Sequence, residues 1–354
     1  MHIEKLDISN VRNLASVTIN PGPGINFFYG ENGSGKTAIL EAIHVLSMAK
    51  SFRNPRIKDL ISHGTENLTV TTEIIDNKNK VFTGLTKTWT ETRIKYQGQN
   101  VTKTSEQARN VPLIVLSEES HKILDGGPRE RRHWLDWSMF HVEPKYMAAW
   151  KQYYLALRHR NALLRQRQNS NELGLWEKVM VENASTLQEF KRNYLIKLEK
   201  SIKKAEQNPF KNVEIYETYA GMEDLETSLL QGREKDREAG YTRQGVHRAD
   251  IVINIDGKLA GKTLSRGQAK LFLTFLKIRQ AIEFININGR PPIVLVDDIG
   301  AELDSASMKR AMSEMSMLGA QLFINAVLKR ACRNIENGLK LFHVKHGKVR
   351  KMVE

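Results

Sequence analysis

The segment Gly30-Glu31-Asn32-Gly33-Ser34-Gly35-Lys36-Thr37 constrains this chain more than any other stretch. An apolar run at 25–29 precedes it, and Ile39, Leu40, Ile43 and Leu46 follow at helical spacing, so it is a glycine-rich turn joining a strand to a helix. The placement has a chemical meaning. Glycines let successive backbone N–H groups converge on one anion, and the helix N-terminus adds its positive dipole end. The Lys36 ammonium can reach the outer phosphates and the Thr37 hydroxyl can ligate Mg²⁺, so a nucleoside triphosphate is the predicted ligand.

Two further elements stand in the order this chemistry needs. Pro292-Ile293-Val294-Leu295-Val296-Asp297-Asp298 reads as a buried strand that ends in two carboxylates, at the edge of a parallel sheet where phosphates sit. Asp297 is predicted to hold Mg²⁺, directly or through water. Asp298 is predicted to orient or deprotonate the attacking water, and its reach, one methylene shorter than a glutamate's, predicts slow turnover. Strand-terminal acids also serve as plain loop caps. Leu264-Ser265-Arg266-Gly267-Gln268 opens an apparent helix over 269–284, so Ser265 and the Gly267 N–H can present donors to an anion at a helix start. Taken alone, that pentapeptide signals only a capped helix.

Around these motifs the chain changes texture. Apolar runs at 3–8, 14–19 and 25–29, broken by Asn13 and Pro21-Gly22-Pro23-Gly24, read as strands; alternation over 68–102, with a turn at Asp76-Asn77-Lys78-Asn79, reads as an antiparallel meander. Long helices are predicted over 144–206, with Met147, Trp150, Tyr154, Leu157 and Leu164 forming an apolar stripe. Strand-like and helical segments return at 251–255, 264–284, 293–296 and 322–326. The expected fold class is α/β: a phosphate-loop sheet with an antiparallel β subdomain, built from 1–118 and 240–354, and interrupted by a helical insertion at 119–239.

Charge points to the partner. The 354 residues carry 54 Lys and Arg against 40 Asp and Glu, a net +14 that attracts a polyanion. Residues 129–206 alone hold 16 basic and 9 acidic side chains. Lys151, Arg158 and Arg165 form one row at sevenfold spacing, and Arg160 with Arg167 a second; both are candidates for sequence-independent contact to DNA phosphates, although most such rows are solvated faces. Trp134, Trp137 and Trp150 are read as core. A single cysteine, Cys332, excludes an internal disulfide, the amino terminus has no apolar signal core, and no run nears the roughly 20 apolar residues of a membrane span. A cytoplasmic protein without membrane insertion is expected.

The three motifs in this order resemble those of ATP-binding-cassette ATPases, and within that superfamily the chain resembles the RecF family of recombination and gap-repair proteins. The matching residues are Asn10-Val11-Arg12-Asn13-Leu14, Leu40-Glu41-Ala42-Ile43, Ser51-Phe52-Arg53, Gly127-Pro128-Arg129-Glu130-Arg131-Arg132 with Leu135-Asp136, and Gly245-Val246-His247-Arg248-Ala249-Asp250. Ala301-Glu302-Leu303-Asp304, after the two acids, completes the set. The resemblance implies an ABC-type head in which Ser265, Gly267 and Gln268 of one copy face the phosphates held by the loop of another. ATP with Mg²⁺ then closes a head-to-tail homodimer on DNA. It also implies that Asp304 crosses the dimer interface, that Asn325 stands where many cassette ATPases carry a γ-phosphate-sensing histidine, and that Arg12 lies near the nucleotide. A weak ATPase is implied, acting at single-strand gaps on duplex, single-stranded or gapped DNA, with RecO and RecR as partners in loading recombinase and in the SOS response. Two departures stand out: 111–118 has no glutamine for Mg²⁺, and Val246 and Ala249 replace the commoner proline and acid. The alternative is the cytosolic ATPase subunit of a membrane transporter, which shares the three motifs. Chain length separates the family from its long-armed relatives, because only 38–263 lie between the phosphate loop and the Leu264–Gln268 pentapeptide.

Overall fold

The computed structural model describes residues 1–53, 56–166, 172–210, 212–298, 303–327 and 338–352. It divides into two compact units, one formed by 1–121 and 265–354 and the other by 122–264.

The first unit begins with β1 (His2–Val11), β2 (Leu14–Ile19) and β3 (Ile25–Tyr29), at the predicted apolar runs, followed by α1 (Lys36–Met48). The meander follows as β4 (Asn67–Asp76), β5 (Asn79–Thr88), β6 (Thr92–Tyr96) and β7 (Gln99–Val101), then α2 (Thr104–Asn110) and β8 (Leu113–Leu116). One sheet, ordered β2-β1-β4-β5-β6-β7, is antiparallel throughout. Its strands bury alternate residues, as expected for a sheet with one face on the core.

The second unit comprises α3 (Pro128–Val142), α4 (Tyr146–Gln166), α5 (Glu172–Lys203), β9 (Val213–Thr218), α6 (Leu225–Ala239), β10 (Asp250–Ile255), β11 (Lys258–Leu259) and the short α7 (Ala260–Thr263). This corrects the predicted boundary at 239/240, which the structure moves to 264/265. The reason is strand pairing: β10 runs antiparallel to β9, from Asp250↔Thr218 to Ile255↔Val213, and carries β11 on its other edge. The insertion is thus helical with its own three-stranded sheet.

Helix α4 buries Leu157 and Leu164 as expected, but its inward face is rotated from the rest of the predicted stripe. Its buried residues are Tyr146, Ala149, Tyr153, Ala156, Leu157, Arg160 and Leu164, whereas Met147, Trp150 and Tyr154 lie partly covered at the margin. Arg160 is fully buried, bonded to Glu177, Asp236 and Thr242. The expected second basic row therefore does not exist as a surface: Arg160 is an internal ion-pair residue, and Arg167 lies outside the described residues. Of the tryptophans, Trp134 is core and Trp137 and Trp150 are half-buried.

The chain returns to the first unit with α8 (Arg266–Asn288), β12 (Ile293–Val296), α9 (Ser305–Ser316), β13 (Leu322–Ala326), β14 (Leu339–Lys345) and β15 (Lys348–Lys351). The second sheet, ordered β15-β14-β3-β13-β12-β8, is parallel except at β15. β12 and β13 are buried along their whole length, the continuous apolar pattern of strands covered on both faces. Helix α1 packs into one apolar cluster with residues of both sheets, which is why nearly all its side chains are buried rather than a single stripe. At the carboxyl edge of the parallel sheet, β3, β12, β13 and β8 end side by side, in register Val296↔Ile324, Val296↔Leu116 and Ala326↔Tyr29. The parts of the site are brought together there.

Candidate functional site

A cleft of about 640 Å³ opens at this edge, lined by Lys36, Thr37, Asp297, Asp298 and Asn325 among others. The loop between β3 and α1 forms its floor. Gly33 and Gly35 have φ of 76° and 114°, values that side-chain-bearing residues avoid. A Cβ on Gly30 would stand 2.1 Å from the Val344 carbonyl, so the backbone there admits nothing larger.

The loop is braced from behind by a hairpin the sequence did not announce. β14 and β15 are joined by His346 and Gly347, both at positive φ as a tight hairpin turn requires, and the Gly347 N–H donates to the Ser34 carbonyl at 2.9 Å. From the other side the Asn13 amide donates to the Gly33 carbonyl at 2.9 Å.

The Lys36 ammonium donates to the carbonyls of Gly30 at 2.7 Å and Glu31 at 2.8 Å, which curls its side chain over the loop. Burial pushes its pKa below the ordinary value, while the Asp298 and Asp297 carboxylates oppose that shift. The Thr37 hydroxyl donates to Asp297 Oδ1 at 2.9 Å, so the two predicted metal ligands already meet. Asn325 joins them: its Nδ2 donates to Asp297 Oδ1 at 2.6 Å and to Thr37 Oγ1 at 3.2 Å, while its Oδ1 accepts the Asp298 N–H at 2.5 Å. Asp298 sits at φ 52°, in the left-handed region, a strain of order 1 kcal/mol.

These residues fit a nucleoside triphosphate with Mg²⁺. Ser34 Oγ is buried without a hydrogen-bond partner, inside a loop of convergent N–H groups. A hydroxyl and a carboxylate make a hard-oxygen pair of the kind that holds Mg²⁺ together with phosphates. Among the described residues no group of three or more His, Cys, Asp or Glu could hold a metal ion.

Of the other predicted residues, one lines the cleft and the rest lie outside it. Arg12 lines the cleft, and its guanidinium is held in a fork by the buried Glu41, Nε on Oε2 and Nη2 on Oε1 at 2.7 Å, which raises its pKa. Ser51 also donates to Glu41, at 2.5 Å. Ser265 is the N-cap of α8 in a reciprocal capping box: its Oγ accepts the Gln268 N–H at 3.3 Å and its own N–H reaches Gln268 Oε1 at 2.9 Å. Ser265 and Gln268 are exposed, Gly267 is half-exposed, and none of the three lines the cleft of its own chain. Asp304 caps α9, accepting the Ser307 N–H at 2.8 Å and hydroxyl at 2.9 Å, contacts that hold its carboxyl below the usual range. It too lies outside the cleft, and Ala301 and Glu302 fall outside the described residues.

Several residues of the cleft had no site role assigned from the sequence, three polar ones in particular. Lys270 on α8 donates to the Asp298 carbonyl at 3.0 Å, and Glu118 and His121, just beyond β8, line the wall where a glutamine was sought. Their only sequence signal was position, two just after a buried strand and one a turn into α8.

In the second unit the two remaining segments that carry the family resemblance meet each other. Arg131 forks onto Asp250, at 2.6 and 3.0 Å, and Arg132 donates to the Ala249 carbonyl. His247 Nδ1 lies 2.8 Å from the Tyr153 hydroxyl and Nε2 3.0 Å from the Thr242 carbonyl. Along α4, Lys151, Arg158 and Arg165 are all exposed at sevenfold spacing.

Residues 2–350 match the family described as RecF/RecN/SMC N terminal domain. DNA replication and repair protein RecF of Nitrosococcus oceani is 35% identical over 362 aligned residues, covering all of both chains, and that of Chromohalobacter salexigens is 34% identical over 361, covering 99% of each. The chain belongs to the RecF family. A solved structure of the recombination mediator protein RecF-ATPrS in the RecFOR pathway is similar at TM-score 0.85 and 25% identity, covering 99% of this chain and 98% of that one. An Smc head bound to the C-terminal winged-helix domain of ScpA, at 16% identity and TM-score 0.58, shares the fold. The ABC-type α/β head expected from the motifs is therefore this chain's fold, and among the described residues no helix is long and apolar enough to cross a membrane.

Proposed function

We propose that this chain is an ATP-dependent DNA-binding protein of replication-coupled repair, which closes as a homodimer on DNA and is released by slow ATP hydrolysis. Its relatives carry the name DNA replication and repair protein, and solved relatives are described with ATP or ATPrS in the RecFOR pathway. Family membership and the basic stretch 129–206, with 16 basic against 9 acidic side chains, weigh against a transporter motor. RecO and RecR are the proposed partners, a gap in DNA the proposed site of action, recombinase loading and SOS induction the outcome, and the cytoplasm the compartment.

One observation carries the dimer. The tip of α8 is capped and exposed and lines no part of its own cleft, so a phosphate bound by Lys36 and Thr37 needs a second copy to bring Ser265 and the Gly267 N–H to it. In each pocket the loop N–H groups and Lys36 hold the phosphates, and Asp298 receives a proton from the attacking water. Mg²⁺, when bound at Thr37 and Asp297, supplies charge neutralisation to the outer phosphates. Lys151, Arg158 and Arg165 contribute phosphate contacts to DNA, with strength that falls as salt rises. Asp304 and Arg12 are assigned to the edge of the shared pocket.

A crosslink tests the reading. Chains carrying Ser265→Cys are mixed with chains carrying Asn32→Cys, with Cys332 replaced by serine in both, and a bismaleimide is added with and without ATP. An ATP-dependent covalent pair supports the proposal. Equal yield without ATP, or no pair at all, contradicts it.

A further inference from the structure

The Asp297–Asp298 step is gripped from two directions. Both polar backbone groups of Asp298, the one left-handed residue in the cleft with a carboxylate, are occupied by side chains: its N–H by Asn325 Oδ1 and its carbonyl by Lys270 Nζ. Asn325 is 1% exposed, and its amide nitrogen lies within hydrogen-bonding distance of Asp297 Oδ1 and Thr37 Oγ1, so its polar end is turned onto the predicted metal ligands and the Asp298 turn. Lys270 belongs to the helix that Ser265 opens, four residues after the first helical residue Arg266, within a capped and regular stretch. A single rigid rod thus begins at the exposed tip proposed to meet a second copy's phosphates and, one turn later, holds the backbone of its own chain's acid.

We infer that Asn325 and Lys270 are positioning residues for ATP hydrolysis. Asn325 fixes Asp297, Thr37 and the Asp298 turn as one unit rather than sensing the terminal phosphate. Lys270 ties that turn to the tip of α8, so that docking of the tip on one nucleotide adjusts the acid at the other. The inference rests on the hydrolysis and dimer readings above. It goes beyond them in naming the hydrogen bonds through which the two pockets communicate.

The test uses the full chain with ATP and Mg²⁺, following ATP affinity, single-turnover hydrolysis at saturating ATP and thermal stability. Lys270→Met is expected to slow hydrolysis by about tenfold or more while affinity and dimer mass change little, the split that marks loss of a contact made for the reaction rather than for binding. Lys270→Arg, which keeps a cationic donor, is expected to recover most of the rate. Asn325→Ala is expected to slow hydrolysis similarly and to raise the Mg²⁺ needed for half-maximal rate, because two metal ligands lose their shared anchor. Asn325→His separates positioning from sensing: a sensor would be restored by the residue cassette ATPases commonly carry there, whereas the anchor would not. Should Asn325 variants unfold, the partly exposed Lys270 decides alone. Wild-type rate in Lys270→Met, or full rate in Asn325→His, overturns the inference. A wild-type chain that binds ATP and never hydrolyses it overturns the ATPase reading itself, and is distinguished by that.

Discussion

Two arginines on α4, two positions apart, should behave as different kinds of residue. Arg158 is exposed, while Arg160 is buried with Nη1 at 2.8 Å from Asp236 Oδ2 and 2.7 Å from Thr242 Oγ1, and Nη2 at 3.0 Å from Glu177 Oε1. Arg160→Met leaves two buried carboxylates short of a cation. Breaking a buried pair from one side costs about 3–5 kcal/mol. Here each acid keeps a second partner, Arg233 for Glu177 and Arg243 at 3.0 Å for Asp236, and those two side chains are 32% and 36% exposed. Their compensation is partial, which places the expected loss near the lower end, about 3 kcal/mol, or a fall in Tm of about 10 °C for a unit of this size. Differential scanning calorimetry reads it directly. Arg158→Ala should leave Tm nearly unchanged and instead weaken DNA binding, lowering the slope of log K against log salt by about 1. A Tm for Arg160→Met within about 2 °C of wild type would refute the reasoning, since it would mean the buried carboxylates are neutral or rehydrated.

Other outcomes follow from the site and the second unit. Asp298→Asn should retain ATP binding and ATP-driven dimerisation while single-turnover hydrolysis falls by about 10² or more, the scale of a lost general base. Gly347→Ala, which would drive a Cβ to 2.2 Å from the Asn13 carbonyl at φ 71°, should loosen the brace behind the phosphate loop and weaken ATP binding, read with a fluorescent ATP analogue. Burial pushes the His247 pKa down to about 4; its hydrogen bond to the Thr242 carbonyl opposes this, and the charges of Arg248, Arg132 and Arg160 add to it. The unfolded state therefore takes up a proton that the folded state refuses between the ordinary histidine value and about 4. Stability should be complete above pH 7 and fall as pH drops through that window, by about 3 kcal/mol from this residue. Urea titrations at pH 7.5 and 5 should show that fall, and His247→Gln should flatten it.

What the sequence made legible was whatever has a local period or a local motif. The strands at 2–11, 14–19 and 25–29, helix α1 and the meander announce themselves by alternation or by three/four spacing, and the phosphate loop and Asp297 by their fixed place between strand and helix. What stayed hidden depends on distant pairing. β9 alternates plainly, but its partner β10 lies over thirty residues on, so the unit boundary was placed too early. β14 and β15 carry lysines and histidines through their runs and join at His-Gly, a weak turn signal, so the hairpin that braces the loop was not expected. Arg160 sits at a spacing suited to either face of α4, and only the acids of α5 and α6 decide that it points inward. Asn325 was placed by resemblance as a sensor; its actual bonds, to Asp297, Thr37 and Asp298, arise from strand register that no motif encodes.

Complementation between two inactive chains measures the shared pocket most directly. Lys36→Ala removes the phosphate lysine and Ser265→Arg blocks the helix tip, so each variant alone should fail to hydrolyse ATP. Mixed one to one, half of the dimers pair the two variants and hold one pocket with both an intact Lys36 and an intact Ser265, so activity should reappear, at about a quarter of wild type if the pockets act independently and below that if they communicate through Lys270. A mixture as silent as its components, or a Ser265→Arg chain that hydrolyses ATP unaided, contradicts the account.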